Sequence, residues 1–399
     1  MKTESTLNPV VVLDITHSGY GILRSLHKYN IPLYGFTYDA GHLELKTKLT
    51  KETFVYSSNN DLRQKLISLA QKLPQRPVLM LTNDEKVEFV LDEREELEKH
   101  FIINMPTTQT VQQLIDKIKL NAIIDQLNIR VPRTINIENI EHGKQVAELT
   151  FPVIVKPFLK SEKWNKAGFS KAIIFNAYDE FAEVFPKMFE AENRIIAQEF
   201  IPGGDDHIYY CLAYYSVNGE LKSHFTGQKI RQWRILTGST TSTKPVNEAF
   251  VTNESIRIFD AIGYNGLGSI EFKKHQITGD FYMIEPTVGR VDTQQYIATC
   301  SGNNIPLKAY CDMTGHQLHG LEKQNDNAVF IDEVNEIQSF FEYNTKYGLT
   351  VGQWLSSIKG KKHFRYLSTV DPNISLRILY HVTRRLTGHF LRRMLNGKS

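Results

Sequence analysis

Two apolar-rich runs near residue 280 constrain this chain more than any other stretch. Ser269-Ile270-Glu271-Phe272 and Tyr282-Met283-Ile284-Glu285-Pro286-Thr287-Val288-Gly289-Arg290 flank Gln276-Ile277-Thr278-Gly279-Asp280. A three-residue loop over 277–279, with Gly279 in the left-handed position, is a common hairpin connection. That register pairs Gln276 with Asp280 and sets Glu271 opposite Glu285. Cross-strand side chains on one face lie about 5 Å apart, and like charges there repel. A folded chain keeps such a pair when something positive sits between the carboxylates. Oxygen ligands suit a hard cation such as Mg2+, usually held by one or two carboxylates plus substrate phosphates. The alternative is a solvated hairpin with two surface glutamates.

Upstream, Phe151-Pro152-Val153-Ile154-Val155-Lys156-Pro157 reads as a short strand ending in a lysine. Lysine is a mobile point charge and a normal phosphate binder. The competing reading is a strand-end lysine snorkelling to water. Ile195-Ile196-Ala197-Gln198-Glu199-Phe200-Ile201-Pro202-Gly203-Gly204-Asp205-Asp206 reads as a strand entering a Pro-Gly-Gly turn. Its unpaired backbone N–H and C=O groups could bond a flat base.

The order and spacing of these pieces over residues 10–320 resemble the ATP-grasp superfamily. Within it, the chain looks most like the bacterial branch that includes the D-aspartate ligase-like proteins and others of surface-polysaccharide synthesis. Asp116-Lys117, then Asn128-Ile129-Arg130-Val131-Pro132-Arg133-Thr134, matches the family's Asp-Lys start, helix and Pro-x-Thr exit. Asn128 replaces the usual glycine, and asparagine is the next most tolerant residue at a left-handed C-cap.

The resemblance implies an α/β protein that is α+β in its catalytic half, with the ATP-grasp fold. A doubly wound parallel-sheet domain is expected over 1–112 and a small α+β lid over 113–200. An antiparallel catalytic sheet follows over 201–321, and an extension over 322–399. The implied activity is ATP-dependent, ADP-forming ligation of a carboxylate to an amine through an acyl phosphate. A cell-surface sugar acid or peptide is one expected carboxylate, and an amino acid one expected amine. Lys117, Lys156 and Lys171 would hold phosphates. The backbone of Glu199 and Ile201, with Phe200, would read adenine, and Asp206 the ribose. Glu271, Glu285 and Thr287 would hold Mg2+, with Mn2+ as the substitute. Lys229, Arg231 and Arg290 would face the transferred phosphoryl group. Thr287 stands where the family carries an asparagine ligand, and Arg290 comes one residue late. The competing function is an ATP-binding regulatory or assembly protein that has lost ligation.

Other segments carry further expectations. Strands at 10–13, 33–36 and 78–82, with a helix at 22–29, imply the parallel sheet. Gly19 and Gly21 lack the third glycine of a dinucleotide fingerprint, so a tight turn at the sheet's ligand edge is the better reading. His17 and Ser18 would then line the pocket of the second substrate. The loop 159–170 is basic and contains Trp164, and in the resembling family a mobile loop there closes over the triphosphate. At period two, Lys229 and Arg231 share a face.

With 399 residues and a net charge of +3, the chain needs more than one core and does not call for nucleic acid. No long apolar run marks a membrane span. Three cysteines without paired spacing fit a reducing cytoplasm. Residues 376–395 form a basic amphipathic stretch, with Leu376, Leu379, Val382, Leu386, Phe390 and Met394 at helical spacing. Such a helix lies on the anionic inner face of a membrane, or docks on its own domain, or joins two copies of the chain.

Overall fold

A computed structural model describes residues 7–115, 117–158, 161–170, 172–318, 326–380 and 382–384. Side chains of Ile115, Lys117, Ile118, Lys119, Asn121 and Ala122 also lie outside the description. Short apolar runs at the start of the chain become β1 (Val10–Leu13), β2 (Leu33–Thr37), β3 (Glu52–Val55) and β4 (Val78–Leu81). They form a parallel sheet in the order β3-β2-β1-β4. Every residue of β1 and β4 is buried, as expected for strands covered on both faces. The edge strand β3 has no fully buried residue, so its apolar signal is weak. The helix Ser18–Leu26 leaves β1 through the turn at His17.

The second sheet contains β5 (Thr134–Ile137), β6 (Val153–Pro157), β7 (Ile173–Phe175) and β8 (Ile195–Glu199) in the order β5-β8-β6-β7. All its pairings are antiparallel. Asn128 ends the preceding helix at φ 53°, the left-handed cap expected of it. The segment expected as a mobile phosphate loop is built differently over its described part, 161–170. Ser161 caps a short helix, Glu162–Lys166. Trp164 is fully buried, packs tilted against Phe169 with ring centres 4.9 Å apart and donates its indole N–H to the Ser170 carbonyl at 2.8 Å. The tryptophan therefore anchors this segment to the core beneath the second sheet. Its large apolar area outweighs solvation of the lysines around it.

The third sheet has seven strands: β9 (Ile208–Tyr215), β10 (Leu221–Trp233), β11 (Ser239–Pro245), β12 (Gly266–Lys274), β13 (Phe281–Val288), β14 (Ala328–Ile331) and β15 (Lys361–Phe364). Their order is β13-β12-β9-β10-β11-β14-β15, antiparallel except for the parallel β14–β15 pair. The last two strands come from the stretch expected to lie outside the catalytic core. β14 hydrogen-bonds to β11, and the helix Glu333–Tyr347 packs across β10 and β11.

The C-terminal helix begins at residue 372 and is described to 384, except His381. Ile374 and Ile378 are buried, and Val382 packs on the same core. Asp371, wholly buried, accepts the hydroxyls of Tyr20 and Thr47 at 3.3 and 2.5 Å. The docked face is thus the Ile374–Ile378–Val382 row, which shares Val382 with the expected row but not Leu376 and Leu379. Leu376 and Leu379 remain exposed. Leu386, Phe390 and Met394 lie outside the described residues. Among the described residues no helix is long and apolar enough to cross a membrane.

Candidate active site

The hairpin β12–β13 does place Glu271 opposite Glu285. It reaches that pairing by an unexpected route. His275 and Asp280 close the loop through a backbone bond of 2.7 Å, so it holds four residues instead of three. A β-bulge between Glu271 and Phe272 in the ladder, where Phe272 faces Met283, leaves Ile284 as the extra residue and restores the register. Gly279 has φ 76°. Gly279→Ala is expected to cost about 1–2 kcal/mol of stability in urea unfolding, because a Cβ is strained in the left-handed region.

The two glutamates differ sharply. Glu285 is exposed, and among the described residues it makes no hydrogen bond or ion pair. Glu271 has a side chain only 13% exposed and pairs with Lys229, whose Nζ lies 2.7 Å from Oε1. Gln294 donates to the same oxygen at 3.0 Å. Burial pushes the Glu271 carboxyl above the usual range. Lys229 opposes this shift, while Asp292 and Glu285 add to it.

Asp292 was not singled out from the sequence, yet it completes this group. It is buried and accepts hydroxyl protons from Ser269 at 2.8 Å and Thr287 at 3.3 Å. Thr293 Oγ1 and the Gln294 N–H donate to its other oxygen at 3.1 and 3.2 Å. Thr287, expected as a metal ligand, is thereby a donor to Asp292. The sequence signal available was an acid two residues beyond Arg290, on the chain that leaves β13. That chain is tied to the first sheet where the Val291 N–H donates to the Leu81 carbonyl at 3.1 Å. The cluster therefore faces the carboxyl ends of β1 and β4, the usual ligand edge of a parallel sheet.

The cationic residues divide. Lys229 and Gln232 bond to each other at 3.1 Å and lie on the Glu271 side. Arg231, expected on the same face as Lys229, is buried against Glu336, with Nε 2.6 Å from Oε1. Its Nη1 donates to Ser357 at 2.6 Å. Irregular pairing with β11 between Lys229 and Arg231 breaks the two-residue alternation. Arg231 is thus a structural clamp on the helix Glu333–Tyr347. Arg290 forms a two-pronged pair with Asp84, at 2.5 and 3.3 Å, and lies in the field of Asp292 and Glu285.

In the second sheet, Lys156 is half-buried on β6, and its ammonium has no polar partner among the described residues. Lys117 starts the helix Lys117–Gln126, but its side chain lies outside the described residues, as does Lys171. Glu199 uses Oε1 to accept the Thr150 N–H at 2.8 Å. Its own N–H donates to Arg133, and that of Phe200 to Pro152, each at 2.9 Å. The N–H of buried Ile201 has no backbone partner among these bonds. Lys273, missed in the sequence, lies 5.3 Å from the Phe200 ring centre and donates to the Gly204 carbonyl at 2.7 Å. Burial pushes its ammonium down to about 8. Asp206 points outward beside His207 at 2.9 Å. Its neighbour Asp205 is buried and accepts from Gln232, Leu236 and Tyr343.

A cleft opens beside Asp292, bounded by His17, Ser18, Thr293, Phe330 and Arg365 among others. His17 and Ser18 both line this cleft. His17 has an accessible ring but stands among cleft walls. Desolvation there, then Arg365, holds its pKa below the ordinary value.

The parallel N-terminal sheet, the small antiparallel sheet and the large antiparallel sheet are arranged as in solved structures of other proteins. An N5-carboxyaminoimidazole ribonucleotide synthetase bound to ADP superposes with a TM-score of 0.62 at 13% identity, covering 86% of this chain and 85% of that one. The chain has the ATP-grasp fold. Biotin carboxylase from Campylobacter jejuni, solved with an ATP analogue, gives 0.60 at 17% identity, covering 80% and 74%. In sequence, D-aspartate ligase of Enterococcus faecium (strain Aus0004) is 23% identical over 283 residues. That match covers 68% of this chain and 63% of the relative's length. No protein-family model matches.

Proposed function

We propose that this protein is an ATP-dependent, ADP-forming carboxylate–amine ligase. The observation that carries the reading is the Glu271–Glu285 pair, with Asp292 beside it, at the meeting of the large sheet and the parallel sheet's ligand edge. The D-aspartate ligase relative supports the same class of reaction. Among the described residues no three His, Cys, Asp or Glu side chains converge as a ready metal site. Mg2+ fits nonetheless, because it is commonly held by one or two carboxylates and completed by phosphates and water. The fit rests on charge. Glu271 feels the charge of both Asp292 and Glu285, Lys229 offsets Glu271, and Arg290 is engaged by Asp84. Glu271 and Glu285 would hold Mg2+, which when bound would neutralise phosphate charge.

The chain's own residues do the positioning. Lys156 faces the phosphates, and the Ile201 backbone with Phe200 receives the base. Lys229 orients Glu271. Arg290 sits where charge grows on the transferred group. A substrate carboxylate oxygen attacks the γ-phosphorus, releasing ADP and forming the acyl phosphate. The amine then attacks the acyl carbon, and phosphate leaves with that oxygen. Such transfer depends mainly on positioning and charge stabilisation.

Lys156→Ala is expected to weaken ATP binding by roughly 1.5–3 kcal/mol, the worth of a charge-assisted hydrogen bond. Adenosine binding should barely change, and calorimetry of both ligands checks it. Equal losses would assign Lys156 to folding. The ligase reading itself is tested by screening ADP release with amino acids of both hands against sugar acids and peptides. Release that never depends on an added amine would reject it in favour of an ATP-binding protein without ligation.

A further inference from the structure

The helix that begins at residue 372 docks on the protein by one of its sides. Ile374 and Ile378 are buried, Val382 packs beside them, and Asp371 ties the helix start to Tyr20 and Thr47. The opposite side turns large apolar side chains to solvent: Leu376 is 69% exposed, Leu379 50% and Tyr380 64%. With Thr383 they stand at i, i+3, i+4 and i+7, so they share one stripe of the helix. Arg377 and Arg384, both exposed and two helical turns apart, run along one edge of that stripe. Asn373, one turn before Arg377, donates to the Lys46 carbonyl at 2.8 Å, which brings an exposed lysine to the same edge.

Single surface leucines need no explanation, but a row of large apolar side chains on an otherwise docked helix marks an interaction surface. Its charge narrows the occupant. Beyond Asp371 the sequence holds no Asp or Glu, while Arg377, Arg384, Arg385, Arg392, Arg393 and Lys398 follow. In the sequence, apolar residues at helical spacing continue with Leu386, Phe390 and Met394. A nucleic acid would use the arginines through its phosphates but would leave the leucines in water. A second copy of the chain would bring the same face against itself, and with no acid on that face the arginines would meet like charges. An anionic lipid surface suits both features. Its headgroups attract the basic edge, and the boundary with the acyl chains takes the apolar stripe. Tyrosine, with an apolar ring and a polar tip, fits the same boundary.

We infer that the outward face of this helix, Leu376, Leu379 and Tyr380 with Arg377 and Arg384, is a docking surface for an anionic lipid bilayer. The helix lies along the lipid surface while its inner row, Ile374, Ile378 and Val382, stays packed on the protein. The chain is thereby held at a membrane without spanning it. The inference is independent of the ligase reading, because no nucleotide or substrate enters it.

The test is sedimentation of the full chain with vesicles of phosphatidylglycerol and phosphatidylcholine in equal parts, and with vesicles of phosphatidylcholine alone. The protein should pellet with the first and stay in solution with the second, and added salt should weaken binding. Leu376→Gln combined with Leu379→Gln leaves the docked row intact. That variant should melt like the parent yet bind about tenfold or more weakly, because burial of two leucine side chains is lost. Arg377→Gln should bind about fivefold more weakly, the share of one basic residue near such a surface. A parent that stays in solution with the anionic vesicles at low salt overturns the inference. So does a folded leucine variant that pellets like the parent, since charge alone would then explain binding. Two further results would also overturn it when vesicle binding is absent: equal binding of a DNA duplex by parent and leucine variant assigns the arginines to nucleic acid, and a dimer that the leucine changes dissociate assigns the stripe to a second copy.

Discussion

Glu285→Gln will cut amine-dependent ADP release by on the order of a hundredfold or more, the scale seen when one group stabilising transition-state charge is lost, and will leave the melting temperature essentially unchanged. The two halves of this result have separate causes. Glu285 is exposed and has no partner among the described residues, so its charge contributes nothing favourable to the fold. Removing it relieves repulsion with Glu271 across the β12–β13 ladder. The same removal takes away one of two carboxylates that would hold Mg2+ against the phosphates. Glu271→Gln is the instructive contrast. It strips the partner from buried Lys229, and breaking a buried pair costs roughly 3–5 kcal/mol. That variant should therefore lose both turnover and stability. A coupled ADP assay and a thermal melt on both proteins check the pair. Full turnover by Glu285→Gln would remove the metal assignment.

The largest expected loss of stability comes from Glu336→Ala. Glu336 is 1% exposed and accepts from Arg231 Nε and Thr241 Oγ1 at 2.6 Å each, and from Trp354 Nε1 at 2.9 Å. The substitution leaves a buried guanidinium without its counter-charge, at a cost of roughly 3–5 kcal/mol. Denaturant unfolding should show it as a lower midpoint. A loss below about 1 kcal/mol would mean that apolar packing alone holds the helix Glu333–Tyr347 to β10 and β11. Nucleotide binding by the folded fraction should persist, because Arg231 is a clamp and not a phosphate ligand.

These assignments mark where sequence patterns carry structural information and where they stop. Local signals held well. The apolar run Val10–Leu13 is a buried strand, Asn128 is a left-handed cap, and Gly219, at φ 77°, turns the β9–β10 hairpin, as an Asn-Gly pair favours. The Glu271–Glu285 pairing was legible, but two one-residue departures cancelled to preserve it. Irregularity acted the other way at Lys229 and Arg231, where it separated residues that strict alternation puts together. Nothing local in a strand announces a bulge, because side-chain alternation is the only periodic signal and a bulge interrupts it. Long-range partners were equally hidden. Arg231 meets an acid 105 residues away, and Arg365 reaches the cleft of His17 from the far end of the chain. Trp164 was the puzzle in a basic loop, and burial resolves it.

The central claim is that the chain makes an acyl phosphate and passes it to an amine. It is tested most directly by isotope transfer. The protein is incubated with MgATP, an amine and carboxylates labelled with oxygen-18, and the released phosphate is weighed by mass spectrometry. The account predicts phosphate carrying one heavy oxygen per turnover, appearing only when the amine is present. Unlabelled phosphate released at the same rate without amine would contradict it.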